Sequence, residues 1–216
     1  MAGSDGAIQQ RRMIVVGVLV CIIFLFGIGA LLFFRSQLDA PTPTPTPSSG
    51  VTIIDPPRAL VDFTLPGRNG APLALSDLRG RFTLIFFGYT HCPDFCPTTL
   101  AEFRQVKRAL DAQADQLQFL FISVDGERDT PAVLEEYVAR FDPQFLFMRG
   151  DTATLARISA DYGLYYELRK ETPEDIDYVV DHTTPSYLVD PEGRMIAVFS
   201  FTAEPEVIVE TIRGQF

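Results

Sequence analysis

The sequence predicts an α/β domain built on a mixed central sheet. Three observations carry the prediction. Short runs of apolar β-formers, residues 82–87 and 117–124, alternate with segments whose apolar residues recur at helical spacing. Late in the chain two strand patterns flank Asp190-Pro191-Glu192-Gly193, a turn sequence, and so read as a hairpin. The order of strand, helix, strand, helix, strand, helix, hairpin and helix belongs to the α/β class.

Taken in order, Val61-Asp62-Phe63-Thr64-Leu65 alternates apolar with polar residues and stops at Pro66-Gly67, which makes a first strand. Residues 82–87 lack alternation and fit a strand buried on both faces. Residues 98–113 place Leu100, Phe103, Val106 and Leu110 on one helical face, with Pro97 at the start, where a missing N–H is tolerated. A second buried strand covers 117–124. Asp129-Thr130-Pro131 supplies a cap and a first-turn proline for a helix reaching about residue 141. A short strand at 145–148 precedes a helix at 151–162 that Gly163 closes. Strands 186–189 and 194–199 form the hairpin, and a final helix follows from Glu204.

At 216 residues the chain is sized for one domain with attachments. Residues 13–34 are 22 residues without a charge, about 33 Å as a helix and enough to cross a bilayer core. The run exceeds a signal-peptide core and no Ala-x-Ala-like site follows, so it reads as an uncleaved membrane anchor, with a cleaved signal as the alternative. Cys21 lies inside it; Val20 precedes it where a lipoprotein cysteine needs a small residue, so Cys21 reads as a membrane-helix side chain. Arg11 and Arg12 precede the anchor and only Arg35 follows closely, which puts residues 1–12 in the cytoplasm. No Arg- and Ser-rich leader precedes the anchor, so the expected location is a bacterial inner membrane, single-pass, with the folded domain in the periplasm, a compartment that tolerates disulfides. Residues 35–58 read as a linker. Its stretch 40–50, APTPTPTPSSG, favours polyproline II and spans about 3.1 Å per residue. The domain then occupies 59–216. From Val51 onward the chain carries 15 basic and 26 acidic side chains, a net charge of −11, which opposes binding to nucleic acid or anionic lipid.

The chemistry concentrates in Gly88-Tyr89-Thr90-His91-Cys92-Pro93-Asp94-Phe95-Cys96-Pro97, between the first buried strand and its helix. A Cys pair there is the thioredoxin arrangement. Thr184-Pro185-Ser186, just before a late strand, lies where thioredoxin-like folds keep a cis-proline, and sequence leaves the isomer open. Residues four apart on a helix share a face, so the sulfurs of Cys92 and Cys96 can converge. Helix-start amides and the helix dipole favour thiolates, and Pro93 and Pro97 stiffen the loop. Two thiolates suit Cu(I) or Zn(II), or they close a disulfide. A third ligand has to come from the two histidines. His91 adjoins Cys92, points away from the shared face and reads as a loop residue. His182, in Asp181-His182-Thr183-Thr184-Pro185, precedes the proline expected to face the Cys loop and is the better ligand. Two Cys and one His in a trigonal arrangement suit copper in either oxidation state, whereas zinc wants a fourth ligand.

Three segments, residues 88–97, Ser123-Val124-Asp125-Gly126-Glu127-Arg128-Asp129-Thr130-Pro131 and Asp177-Tyr178-Val179-Val180-Asp181-His182, resemble the Sco/SenC family in that order, over nearly the whole domain. The resemblance implies a thioredoxin-like fold, copper ligands at Cys92, Cys96 and His182, and a part in assembling the dinuclear copper centre of cytochrome c oxidase. Gly126 stands where the family usually has Pro. Pro185 stands where many members have another residue, which keeps redox work in view. Arg128 and Asp129 read as a surface ion pair and a helix cap, with partner docking or proximity to the metal loop as the alternative; Asp125 is open between the two. Asp94 and Asp181 read either as groups that tune the site or as plain turn residues.

Two functions compete. In the first, a membrane-anchored copper metallochaperone binds copper through Cys92, Cys96 and His182 and passes it by ligand exchange to cytochrome c oxidase subunit II; no catalysis is needed. In the second, a thiol–disulfide reductase uses Cys92 and Cys96 to keep the oxidase's copper-site cysteines reduced. A thiol peroxidase is weaker, because Phe87-Gly88-Tyr89-Thr90-His91 before Cys92 is not a peroxidatic sequence.

Overall fold

The computed structural model describes residue 19, residues 24–30 and residues 50–216. The chain divides into two units, Met1–Thr46 and Pro47–Phe216. In the first, residues 19 and 24–30 are helical, and among the described residues no helix is long and apolar enough to cross a membrane. The rest of the apolar segment 13–34, with Cys21, and linker residues 35–49 lie outside the described residues.

The second unit runs β1 (Val51–Ala59), β2 (Thr64–Pro66), β3 (Pro72–Ala74), β4 (Phe82–Gly88), α1 (Phe95–Leu110), β5 (Leu117–Ser123), α2 (Pro131–Ala139), β6 (Leu146–Arg149), α3 (Thr152–Tyr162), β7 (Tyr166–Arg169), β8 (Val179–His182), β9 (Ser186–Val189), β10 (Arg194–Phe199) and α4 (Pro205–Arg213). Six strands form one sheet in the order β1-β10-β9-β4-β5-β6. β4, β5 and β6 are parallel; β9 pairs antiparallel with β4, β10 with β9 and β1 with β10. The mixed α/β sheet is as expected.

β4 is central, and every one of its residues is buried. Alternation sends Phe86 and Phe87 to opposite faces of the sheet. Phe86 meets Phe103 of α1 edge-on at 6.4 Å, and Phe87 meets Tyr162 of α3 at 5.0 Å, so helices cover both faces. Each such fully buried ring contributes about 1.5–3 kcal/mol. α1 buries Cys96, Thr99, Leu100, Phe103, Val106 and Leu110; the stripe that docks the helix therefore carries one of the two thiols into the core. Thr130 caps α2 by accepting from the Val133 amide at 3.3 Å, and Gly163 closes α3 in the left-handed region at φ 60°.

The structure differs from the sequence expectations at several places. Residues 51–58, read as the end of the linker, belong to β1 (Val51–Ala59), which pairs with β10. Pro56 and Pro57 argue against a strand in sequence, but β1 is an edge strand with a register shift between Ile53 and Arg58, where proline is tolerated. The strand expected at 61–65 is β2 and starts at Thr64 rather than Val61. α1 begins at Phe95, which puts Pro97 third in the helix; first-turn N–H groups have no intrahelical acceptor, so proline is accepted there too. The isomer that the sequence left open is trans at Thr184-Pro185, the form an ordinary X–Pro bond prefers; among the described residues the cis peptide bond is Asp55-Pro56.

Candidate metal centre

The shift in α1 changes how the sulfurs meet. Cys92 lies before the helix, in a turn where its amide donates to the Tyr89 carbonyl at 3.3 Å. Cys96 lies inside the first turn. The Cys96 amide, one of the free donors at the helix start, points at Cys92 Sγ at 3.4 Å. The sulfurs are brought together by a helix N-terminus holding a thiolate, not by two positions on one helical face. Both cysteines are free thiols in the structure. Gly88, at the end of β4, makes the room: a Cβ there would stand 2.8 Å from Cys96 Sγ and 2.8 Å from Phe121.

The two thiols are unequal. Hydrogen bonding from the Cys96 side chain first, and from the Cys96 and Asp94 amides, holds Cys92 down at about 3 against partial burial. Burial first, and the neighbouring Cys92 charge second, push Cys96 up. The pair thus keeps one proton, on the buried sulfur.

His182 ends β8, which among the described residues pairs only with β7 in a small ribbon separate from the main sheet. Its ring packs edge-on against Phe86 and Tyr89, centroids 6.0 and 5.8 Å away. Nδ1 lies 2.8 Å from the Thr183 carbonyl oxygen, which can only accept, so Nδ1 carries the proton and Nε2 presents a lone pair. Nε2 is 3.5 Å from Cys96 Sγ. Two ligand bonds to one ion span at most roughly 4.4 Å, so this spacing fits a shared metal. Cys92, Cys96 and His182 form a group with ligand atoms all within 4.8 Å of one another. Two sulfurs and one imidazole are soft donors that match copper and leave zinc one ligand short.

His91 is exposed and turns instead to Thr90 Oγ1 at 3.0 Å. Asp181 is paired with Arg169 at 2.7 Å, and Asp94 occupies the cap position of α1 with no side-chain capping bond. Neither carboxylate touches the ligand atoms. The reading of Arg128 and Asp129 as a cap and a surface ion pair is overturned. Thr130 is the cap, Asp129 is fully buried, and Asp129 accepts from Ser123 Oγ at 2.6 Å, Thr90 Oγ1 at 2.6 Å and the Thr90 amide at 3.1 Å. It ties the Cys loop to the end of β5. Arg128 binds Asp125, also fully buried, at 2.6 Å. Both belong to a polar network that ties the segment between β5 and α2 to the Cys loop through Ser123, Asp129 and Thr90. Sequence reasoning gave no role to Gly88, Thr90, Ser123 or Tyr178. A glycine ending an otherwise bulky buried strand is the one signal available, since it marks close approach.

The family model described as SCO1/SenC matches residues 52–216. The chain belongs to the SCO1/SenC family. Among SCO1/SenC relatives, the mouse mitochondrial protein SCO2 homolog is 41% identical over 154 residues, 70% of this chain but 60% of the mouse protein, so this chain spans less than two thirds of that relative. The SCO2-like protein of Rickettsia felis is 31% identical over 93% of this chain and 97% of its own length. Among solved structures, Bradyrhizobium japonicum ScoI with copper bound superposes with a TM-score of 0.64 at 40% identity, covering 73% of this chain and 99% of ScoI. The SCO1/SenC domain here has the thioredoxin-like arrangement expected for it.

Proposed function

We propose that this chain is a copper metallochaperone for cytochrome c oxidase assembly. It holds copper through Cys92, Cys96 and His182 and passes it to the dinuclear centre of subunit II. The observation that carries the reading is the convergence of two thiols and a tautomerically fixed imidazole from distant parts of the chain. The copper-bound state of ScoI, a relative at 40% identity, supports it. Residues 13–34 anchor the chain in a bacterial inner membrane, 1–12 stay in the cytoplasm, and the Pro-Thr segment holds the domain clear of the lipid in the periplasm; the uncharged run and the arginine asymmetry support this.

Anaerobic titration of the reduced protein with Cu(I) against a competing chromophoric chelator tests the site. One equivalent is expected to bind, and His182→Ala is expected to weaken it at least tenfold while reduction of a model disulfide stays intact. Unchanged affinity in His182→Ala removes the three-ligand site. A second reading has its own support: a half-buried thiolate beside a buried, protonated partner is the layout of an attacking and a resolving thiol. Rapid disulfide reduction with no copper uptake favours that thiol–disulfide reductase.

A further inference from the structure

The two halves of the metal centre come from different elements, and one of them is weakly held. β7 and β8 are four residues each and, among the described residues, pair with no other strand. A two-stranded ribbon of this size is marginal on its own, so something must fix it for His182 to stay near the sulfurs. Arg128 does so at the other end of β8. Its Nη1 donates to the carbonyl of Tyr178, the residue before β8, at 2.7 Å and to that of Ile176 at 3.3 Å. Its guanidinium stacks 3.5 Å from the centroid of the Tyr178 ring. Its Nε donates to Asp125 Oδ2 at 2.6 Å, and the Tyr178 hydroxyl donates to Asp125 Oδ1 at 2.7 Å. Ser123 joins this cluster to the Cys side: its Oγ accepts from the Asp125 amide at 3.0 Å and donates to Asp129, which holds Thr90.

We propose that Arg128 is the positioning residue for His182: with Asp125 and Tyr178 it locks the start of β8 to the segment that also holds the Cys loop, and so sets the imidazole-to-sulfur distance. Arg128 touches no ligand atom and acts through Tyr178 and the stiffness of β8. The idea rests on the three-ligand copper site proposed above, as a statement of what keeps that site assembled.

A double-mutant cycle tests it in the full chain in detergent micelles. Arg128→Met keeps the aliphatic stem and removes every donor. Cu(I) affinity is expected to fall tenfold to a hundredfold, the size typical of groups that orient a metal ligand. In a His182→Ala background the same change is expected to cost less than about twofold, because the ligand it positions is gone. Tyr178→Phe, which keeps the stacked ring and loses the hydroxyl, is expected to lie between and decides the question if Arg128→Met does not fold. Equal losses in both backgrounds, or undiminished affinity in the folded variant, overturn the proposal. If His182→Ala alone leaves copper affinity untouched, the three-ligand reading fails, and the copper-free protein decides the positioning role. Nuclear Overhauser contacts from the His182 ring to Phe86 and Tyr89 are then expected in the wild type and lost in the Arg128 or Tyr178 variant; their persistence overturns it.

Discussion

Gly88 controls where Cys96 can sit, and it does so by lacking an atom. Its absent Cβ leaves the space filled by Cys96 Sγ and the Phe121 ring, each 2.8 Å from where that atom would be. Gly88→Ala is expected to destabilise the fold by about 1–3 kcal/mol, read as a lower urea midpoint, and to weaken Cu(I) retention because the sulfur must move. The unequal thiols give a second prediction. Cys92 is held at about 3, below the ordinary thiol range, so its thiolate persists as pH falls and protonates only near that value. The sign for stability follows: the contribution is full above the ordinary thiol pKa and is lost progressively as pH drops towards 3. Alkylation of Cys92 by iodoacetamide is expected to stay nearly constant from neutral to mildly acid pH, where an ordinary thiol slows tenfold per unit. Cys96→Ala removes the largest cause and is expected to restore the pH dependence; a flat profile in that variant sinks the assignment. That Cys92, Cys96 and His182 could form one cluster was legible in the sequence because their chemistry is in the side-chain type, and the structure brings the three together. Gly88 was not, since a close approach exists only once β4 and α1 are packed.

Among the elements, the buried strands and the amphipathic α1 and α3 were readable because each shows several periods of its pattern. β7 and β8 were not: four residues give two inward positions apiece, too few to separate from chance, and only Val180 of β8 is deeply buried. β1 was hidden by Pro56 and Pro57, tolerated because its outer edge has no partner strand among the described residues. The segment joining β5 to α2 was visible as a motif but misread as surface, because sequence shows charges and not their burial. Its depth makes it sensitive. Asp129→Ala would leave the Thr90 amide, the Thr90 hydroxyl and the Ser123 hydroxyl without their acceptor. The expected cost is on the order of 2–4 kcal/mol in chemical unfolding, with faster amide exchange at Thr90. A change below about 0.5 kcal/mol would mean that the carboxylate is dispensable to the Cys loop.

For the whole molecule, the decisive fact is that the site exists only when the chain is folded. Cys96 and His182 are 86 residues apart in sequence yet 3.5 Å apart in space. An unfolded chain offers copper at most the local Cys pair, so the metal must favour the folded state by its extra affinity for three ligands over two. Free Cu(I) at about a thousand times the dissociation constant adds roughly 4 kcal/mol, and for a domain of this size each kilocalorie moves the melting temperature by about 2–4 °C, an upward shift of roughly 8–16 °C. Residual binding to the unfolded Cys pair trims that figure. His182→Ala keeps both sulfurs and hence that residual binding, so its shift is expected to be much smaller than the wild type's under the same anaerobic conditions. Cys92→Ser, which leaves a single sulfur with the imidazole, is expected to show almost none. If wild type and His182→Ala shift equally, copper is reading the Cys pair alone, and bringing β8 to the end of β4 serves something other than the metal.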